Sequence, residues 1–410
     1  MSFFDMVAIL LTLAAVFSLI NYKTIKLPNG IGIMLIGLLM SIALIFINKI
    51  GFFSTEAIQH VFEGIDFNKT VLNGMLSFLL FAGALHVNIN RLAELADTIA
   101  ILATIGVAIS AGIVSLLTYY IFNGLGIEIS YLYCLVFGVL ISPTDPIAVM
   151  GILKKIGAPK SIEVKITGES LFNDGVAVVF FIVVLELATG QEQASVGHVA
   201  LLFATEAIGG AVYGFIIGYI AYWLLKAVDD YQVEVLITLA LVTGGYSLAQ
   251  HLHISGPIAI VVAGLMIGNK GRKLAMSDNT RQRLDDFWEL IDEVLNALLF
   301  LLIGVELLII EITQNYILAS LIIIPTVLAA RFISVGFPVA LLKFKNSYSP
   351  HAIKILTWGG LRGGISVALA LSIPAGPWRD PILTATYAVV IFSILVQGLT
   401  IGKVAALAKK

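Results

Sequence analysis

Ile141-Ser-Pro-Thr-Asp-Pro-Ile147 and Gly168-Glu-Ser-Leu-Phe-Asn-Asp-Gly175 place three carboxylates, Asp145, Glu169 and Asp174, in sequence apolar enough to lie inside a bilayer. One such charge at the centre of a membrane helix costs roughly 3 kcal/mol on insertion scales. Acidic groups kept at that cost read as an ion or proton pathway. Pro143 and Pro146, flanking Thr144 and Asp145, break the helix at membrane depth. Freed backbone there is tolerated only where protein or a wet cavity covers it.

Ser170 and Asp174 lie four residues apart and share one helix face, while Glu169 and Asn173 share the neighbouring face. One stripe can line a cavity while the other pairs with protein. A partly dehydrated Na⁺ or K⁺ takes several hard oxygen ligands. Those on offer are the Asp174 carboxylate, the Ser170 hydroxyl and the Thr144 carbonyl, with Asp145 acting directly or through water. Away from the loops and the borders of the apolar stretches, positive charge comes only from Arg331 and Arg362. Glu169 reads as the structural partner of a buried arginine, Arg331 first and Arg362 second. Asn173 reads as a hydrogen-bonding group across the break, at Thr144 or Asp145. Three carboxylates against two arginines leave a charge of −1, which one proton or one monovalent cation neutralises equally well. Low polarity disfavours the charged form of a carboxylate, so the two can compete near physiological pH. A site that takes either, but not both, gives 1:1 exchange when exposed to each side in turn.

The elements that must hold these residues are membrane spans. The 410 residues are 59% hydrophobic and 12% charged, about half the charge of an ordinary globular chain. A span needs about 20 mainly apolar residues. Thirteen stretches qualify: 3–20, 29–48, 70–88, 98–122, 131–153, 166–189, 198–226, 232–250, 254–269, 285–305, 315–342, 351–373 and 382–404. Nineteen lysines and arginines fall in or beside the loops after odd-numbered spans and in the tail. Only Lys49, Lys69 and Arg379 follow even-numbered ones. Basic loops face the cytoplasm, which puts the N-terminus outside and the C-terminus inside. No secretory signal peptide is evident, and the lone Cys134 excludes an internal disulfide.

Span five is interrupted by Pro143 and Pro146, and span twelve by Gly359-Gly360-Leu361-Arg362-Gly363-Gly364. With spans one to six and eight to thirteen as two repeats, each interruption is fifth in its repeat, and the odd span between them inverts the halves. Paired breaks at matching positions are the best sequence pointer to a transporter site. The expected fold class is therefore an all-α polytopic membrane protein with two inverted repeats whose broken helices cross at mid-membrane.

The segments SPTDPIAV, GESLFNDG and GGLRGGISVALAL resemble the NhaP/NHE-type sodium–proton antiporters, and the similarity runs along essentially the whole chain. The resemblance implies the NhaA/NhaP-like antiporter fold and electroneutral exchange of Na⁺, with Li⁺ or K⁺ as alternatives, for H⁺ by a homodimer. It implies Asp174 as the carboxylate that binds cation and proton, Ser170, Thr144 and Asp145 as further ligands or support, and Glu169 in a structural pair with a core arginine. It further implies a dimerisation scaffold of 1–97 and 198–305. The moving transport domain would be 98–197 with 315–404, with a connecting loop 306–314 and a short cytoplasmic tail 405–410. Some archaeal relatives carry a glutamate in span three, in a Phe-Glu-Ala-Gly context. Here the stretch is Phe81-Ala82-Gly83-Ala84, so that ligand is missing.

Two aspartates on adjacent spans are also what an intramembrane aspartyl protease needs, but its Gly-x-Gly-Asp signature fits neither Asp145 nor Asp174. No HExxH or GxSxG occurs. The chain is therefore read as a transporter and not as an enzyme. A passive cation channel is disfavoured by the inverted breaks. The expected partners are monovalent cations, protons and the lipid bilayer of a bacterial or archaeal cell membrane, with no cofactor and no nucleic acid.

Overall fold

Where the computed structural model describes them, the apolar stretches are helical, and two are interrupted by breaks. It describes residues 3–49, 74–146, 149–150, 153, 160–190, 196–308, 313–342 and 351–406. The helices are α1 Phe3–Ile20, α2 Asn29–Lys49, α3 Leu76–Leu85, α4 Ile89–Glu94, α5 Ala96–Gly124, α6 Tyr131–Leu140 and α7 Lys160–Thr189. They continue with α8 Val196–Lys226, α9 Tyr231–His251, α10 Gly256–Gly271, α11 Asp278–Val305 and α12 Gln314–Leu342. The last are α13 Ala352–Trp358, α14 Gly364–Leu371 and α15 Arg379–Ala405. Among the described residues, eight helices are long and apolar enough to cross a membrane and three shorter ones are apolar. The protein is thus a multi-pass, all-helical membrane protein.

Two starts lie earlier than hydropathy predicts. α7 begins at Lys160 and α11 at Asp278, six and seven residues ahead of the apolar runs at 166 and 285. Their first turns are polar, and a helix carries polar residues freely where water covers them, so hydropathy reports the buried part only. Boundaries elsewhere follow local chemistry. Asp230 caps α9 by accepting the Gln232 N–H at 2.9 Å. Ser255 caps α10, whose first turn also holds Pro257.

The interior is built on close helix crossings. α2 runs along α11, α5 along α6, and α8 along α10. At the first crossing Gly37 faces Gly304, and Ser41 Oγ donates to the Gly304 carbonyl at 2.9 Å. A Cβ on Gly304 would sit 2.8 Å from the Met34 carbonyl oxygen and 3.1 Å from Gly37 Cα. Rigid backbone stands there, so Gly304→Val should separate the two helices. We expect it to destabilise the protein by about 1–3 kcal/mol, read as a lower thermal midpoint in detergent; an unchanged midpoint would count against this crossing. The outward faces are apolar, with Ile208, Phe215, Trp223, Phe332 and Phe337 exposed where lipid covers a membrane protein.

Candidate functional site

The first break is dictated by its two prolines. α6 ends at Leu140, and the Ile141 and Ser142 N–H groups close its last turns on the Phe137 and Val139 carbonyls at 3.1 and 3.2 Å. Pro146 has no N–H to offer the carbonyl four residues back, so the Ser142 carbonyl is orphaned. Arg362 fills that vacancy from the second break: its guanidinium donates to the Ser142 oxygen at 2.5 Å and the Pro143 oxygen at 2.8 Å. The second break, between α13 and α14, is similarly closed. The Arg362 N–H donates to Ser393 Oγ at 2.8 Å, and Gln397 Nε2 donates to the Trp358 carbonyl at 3.1 Å.

The two breaks then touch. Asp145 N–H donates to the Leu361 carbonyl at 2.8 Å in an antiparallel bridge, the only isolated bridge among the described residues. Gly363 permits that approach, since a Cβ there would collide with the Asp145 carboxylate. That carboxylate therefore lies at the N-terminal end of α14, where the helix dipole favours negative charge.

α7 supplies the rest. Asn173 reaches Thr144 twice, accepting its N–H through Oδ1 at 3.4 Å and donating from Nδ2 to Oγ1 at 3.0 Å. Ser170 Oγ lies 3.0 Å from the same Thr144 hydroxyl. The helical stripes are thus not divided as the spacing suggests, because Ser170 and Asn173 both turn to Thr144. Arg331, on α12, holds Glu169 in a two-pronged pair, Nη1 to Oε1 at 2.5 Å and Nη2 to Oε2 at 2.9 Å, and also reaches the Leu356 carbonyl at 3.3 Å. Both members of the pair are buried, Glu169 at 1% exposure and Arg331 at 4%. Arg331 spans the gap to α7 because Gly360 leaves room for its guanidinium.

A cavity of about 1310 Å³ ends on this centre. Asp145 and Asp174 line it, whereas Thr144 and Ser170 are buried behind its wall. Lys26, His86, Arg91, Lys160 and Glu163 also line it, so it runs towards the end of the bundle where basic residues gather. α11 contributes Glu289, Asp292, Glu293 and Asn296 to the same lining. Among the described residues no group of three His, Cys, Asp or Glu side chains gathers as a metal cage. What the cavity offers is a carboxylate pair with the Thr144 and Ser170 hydroxyls behind it, a donor set suited to a small hard cation held loosely.

Glu234 is fully buried at the start of α9, because α11 extends far enough to cover it. Asp292 and Asn296 both line the cavity, and neither is singled out by the sequence analysis. The i,i+4 spacing of an acid and an amide on one helix was the signal available.

The family described as sodium/hydrogen exchanger, transmembrane, matches residues 9–407 of this chain. The Na⁺/H⁺ antiporter NhaP of Pseudomonas aeruginosa is 49% identical over 403 residues, covering 97% of this chain and 95% of that protein. The Na⁺/H⁺ antiporter NhaH of Halobacillus dabanensis is 35% identical, covering 96% of each. Among solved structures, the sodium proton antiporter MjNhaP1 of Methanocaldococcus jannaschii at pH 8 superposes with a TM-score of 0.77 over 97% of this chain and 96% of that one. At 20% identity this last likeness speaks for the fold. A match along almost the entire length, together with a relative close to half identical, places the chain in the sodium/hydrogen exchanger family of transmembrane proteins.

Proposed function

We propose that this chain is a secondary active antiporter of the cell membrane that exchanges Na⁺ for H⁺ one for one, with both ions competing for Asp174. The observation that carries the reading is the cavity that ends on Asp174 and Asp145 beside two chain breaks. A wet route to carboxylates at a backbone interruption is what an alternating ion site needs. The relatives named as Na⁺/H⁺ antiporters support Na⁺ as the cation.

Charge supports the stoichiometry. The Glu169–Arg331 pair is neutral within itself. Arg362 places its positive charge on the Ser142 and Pro143 carbonyls, next to Asp145. Two carboxylates and one guanidinium then leave −1, which one H⁺ or one Na⁺ cancels. On cation arrival the Thr144 and Ser170 hydroxyls, now hydrogen-bonded to each other, would turn their oxygens towards the ion at Asp174. The Thr144 carbonyl and Asp145 complete the set, directly or through water. Asn173 holds Thr144 in register, and Glu169 and Arg331 hold α7 against α12.

On this reading the chain crosses the membrane thirteen times as two inverted repeats, with the N-terminus outside and the C-terminus in the cytoplasm. Residues 98–197 and 315–404 form the moving transport domain, and 1–97 with 198–305 form the scaffold of a homodimer. Residues 306–314 connect them and 405–410 are the tail, of which 309–312 and 407–410 lie outside the described residues.

In everted vesicles with an acid interior, added Na⁺ is expected to dissipate ΔpH, reported by a pH-sensitive dye. The rate should not change when a permeant anion clamps the voltage. If Na⁺, Li⁺ and K⁺ all leave ΔpH intact, the exchange reading fails. A response to K⁺ alone would move the substrate to K⁺, and a voltage-dependent rate would remove the 1:1 count.

A further inference from the structure

Arg362 is held at both ends. Its guanidinium closes the first break on the Ser142 and Pro143 carbonyls. Its backbone N–H donates to Ser393 Oγ on α15 at 2.8 Å. One turn further along α15, Gln397 Nε2 donates to the Trp358 carbonyl at 3.1 Å, and Thr400 Oγ1 accepts the Trp358 indole N–H at 2.8 Å. All three side chains reach the same segment, so one side of α15 grips the second break before and after Gly359-Gly360. Ser393 is fully buried and Gln397 is 3% exposed, so water offers the break no substitute for them. α15 also leaves α-helical geometry for a π-helical turn over Ser393–Gly398, the stretch that carries both residues. Such turns are rare and gather at functional sites.

The grip reaches the ion site through one neighbour. Leu361, next to Arg362, gives its carbonyl to the Asp145 N–H, and Asp145 lines the cavity with Asp174. We infer that Ser393 and Gln397 are positioning residues for cation binding, which fix the second break to α15 and so hold Asp145 where the cation meets it. The inference rests on the exchange reading above. Neither Ser393 nor Gln397 lines the cavity, so neither is an ion ligand. With the second break loosened, the Asp145–Leu361 bridge opens more readily and the cation must order its own ligands on arrival, which weakens binding. A proton needs a single carboxylate oxygen, so its hold on Asp174 does not depend on that order. The cation therefore loses affinity and the proton does not.

The test uses the full-length protein in everted vesicles, with the Na⁺ dependence of ΔpH dissipation measured for wild type, Ser393→Ala and Gln397→Met. Each variant should raise the half-saturating Na⁺ concentration about three- to tenfold while leaving the maximal rate near wild type. At a fixed, sub-saturating Na⁺ concentration their activity should also move to higher pH, because an unchanged proton competes with a weakened cation. Thr386→Val is the control. Thr386 is buried on the same helix, but its hydroxyl donates within that helix, to the Ile382 carbonyl at 2.7 Å. It should leave both the half-saturation and the pH profile alone. If the folded variants keep the wild-type half-saturation, or Thr386→Val shifts it equally, the positioning role is overturned. Should Ser393→Ala fail to fold, Gln397→Met, which keeps the size and removes the donor, decides the matter. Wild-type vesicles that show no cation response would instead sink the exchange reading itself, so the two failures are separable.

Discussion

Vesicles carrying Asp174→Ala are expected to show no cation-driven collapse of ΔpH above that of empty vesicles. Asp174 is 7% exposed, and that remaining exposure is to the cavity. Removing one member of a desolvated, hydrogen-bonded charge pair costs about 2–5 kcal/mol, or roughly 30-fold to several thousandfold in binding. On the proposed reading a cation on this buried carboxylate stands in that position, so saturation with Na⁺ should not rescue the variant. Asp174→Asn sharpens the result, since it keeps shape and volume while removing the charge and the exchangeable proton. It should fold with a wild-type thermal midpoint and still fail to exchange. Full exchange in either variant would take Asp174 out of the transport step, and Asp145 would become the next carboxylate to test.

Glu169→Ala should behave differently, lowering the amount of folded protein. It strips Arg331 of both its carboxylate hydrogen bonds and leaves a buried guanidinium whose remaining acceptor among the described residues is the Leu356 carbonyl. Breaking such a pair from one side costs about 3–5 kcal/mol, a large part of the stability of most proteins. The expected readout is a smaller monodisperse peak on size-exclusion chromatography and a lower thermal midpoint. Replacing both partners with apolar residues of similar size, Glu169→Met with Arg331→Met, removes the uncompensated charge and should restore much of the yield. Wild-type yield and midpoint for Glu169→Ala alone would show that the pair is not structural.

The contrast between these neighbours shows what the residues disclosed by themselves. Helix existence was legible almost everywhere, because long apolar runs and basic loops both report on the bilayer. Helix starts were less so: Lys160 and Asp278 open helices in polar sequence that hydropathy cannot see. The eight site residues singled out from sequence gather at one place, because charge and helix breakers at membrane depth have few other uses. Their partners were harder to read. Spacing on α7 put Ser170 with Asp174 and Asn173 with Glu169, yet Thr144 draws Ser170 and Asn173 together, since a broken segment can meet two helical faces at once. Arg362 bonds backbone carbonyls, and no pattern of side-chain types reveals an orphaned carbonyl except indirectly, through Pro146. Asn296 gave only a weak signal for a similar reason, since an amide four residues after an acid means little until the surface it faces is known.

The bridge between Asp145 and Leu361 bears on how the molecule is made. Arg362 and the carbonyl of Ser142 are 220 residues apart in the chain, and each broken segment supplies what the other lacks. As the polypeptide leaves the ribosome, the first interruption must wait in the lipid for a partner not yet synthesised. Long-range closures of that kind are slow and expose unfinished surfaces meanwhile. The junction of the two breaks therefore forms late, and the step that completes it is the one that would create the resting place proposed for the ion.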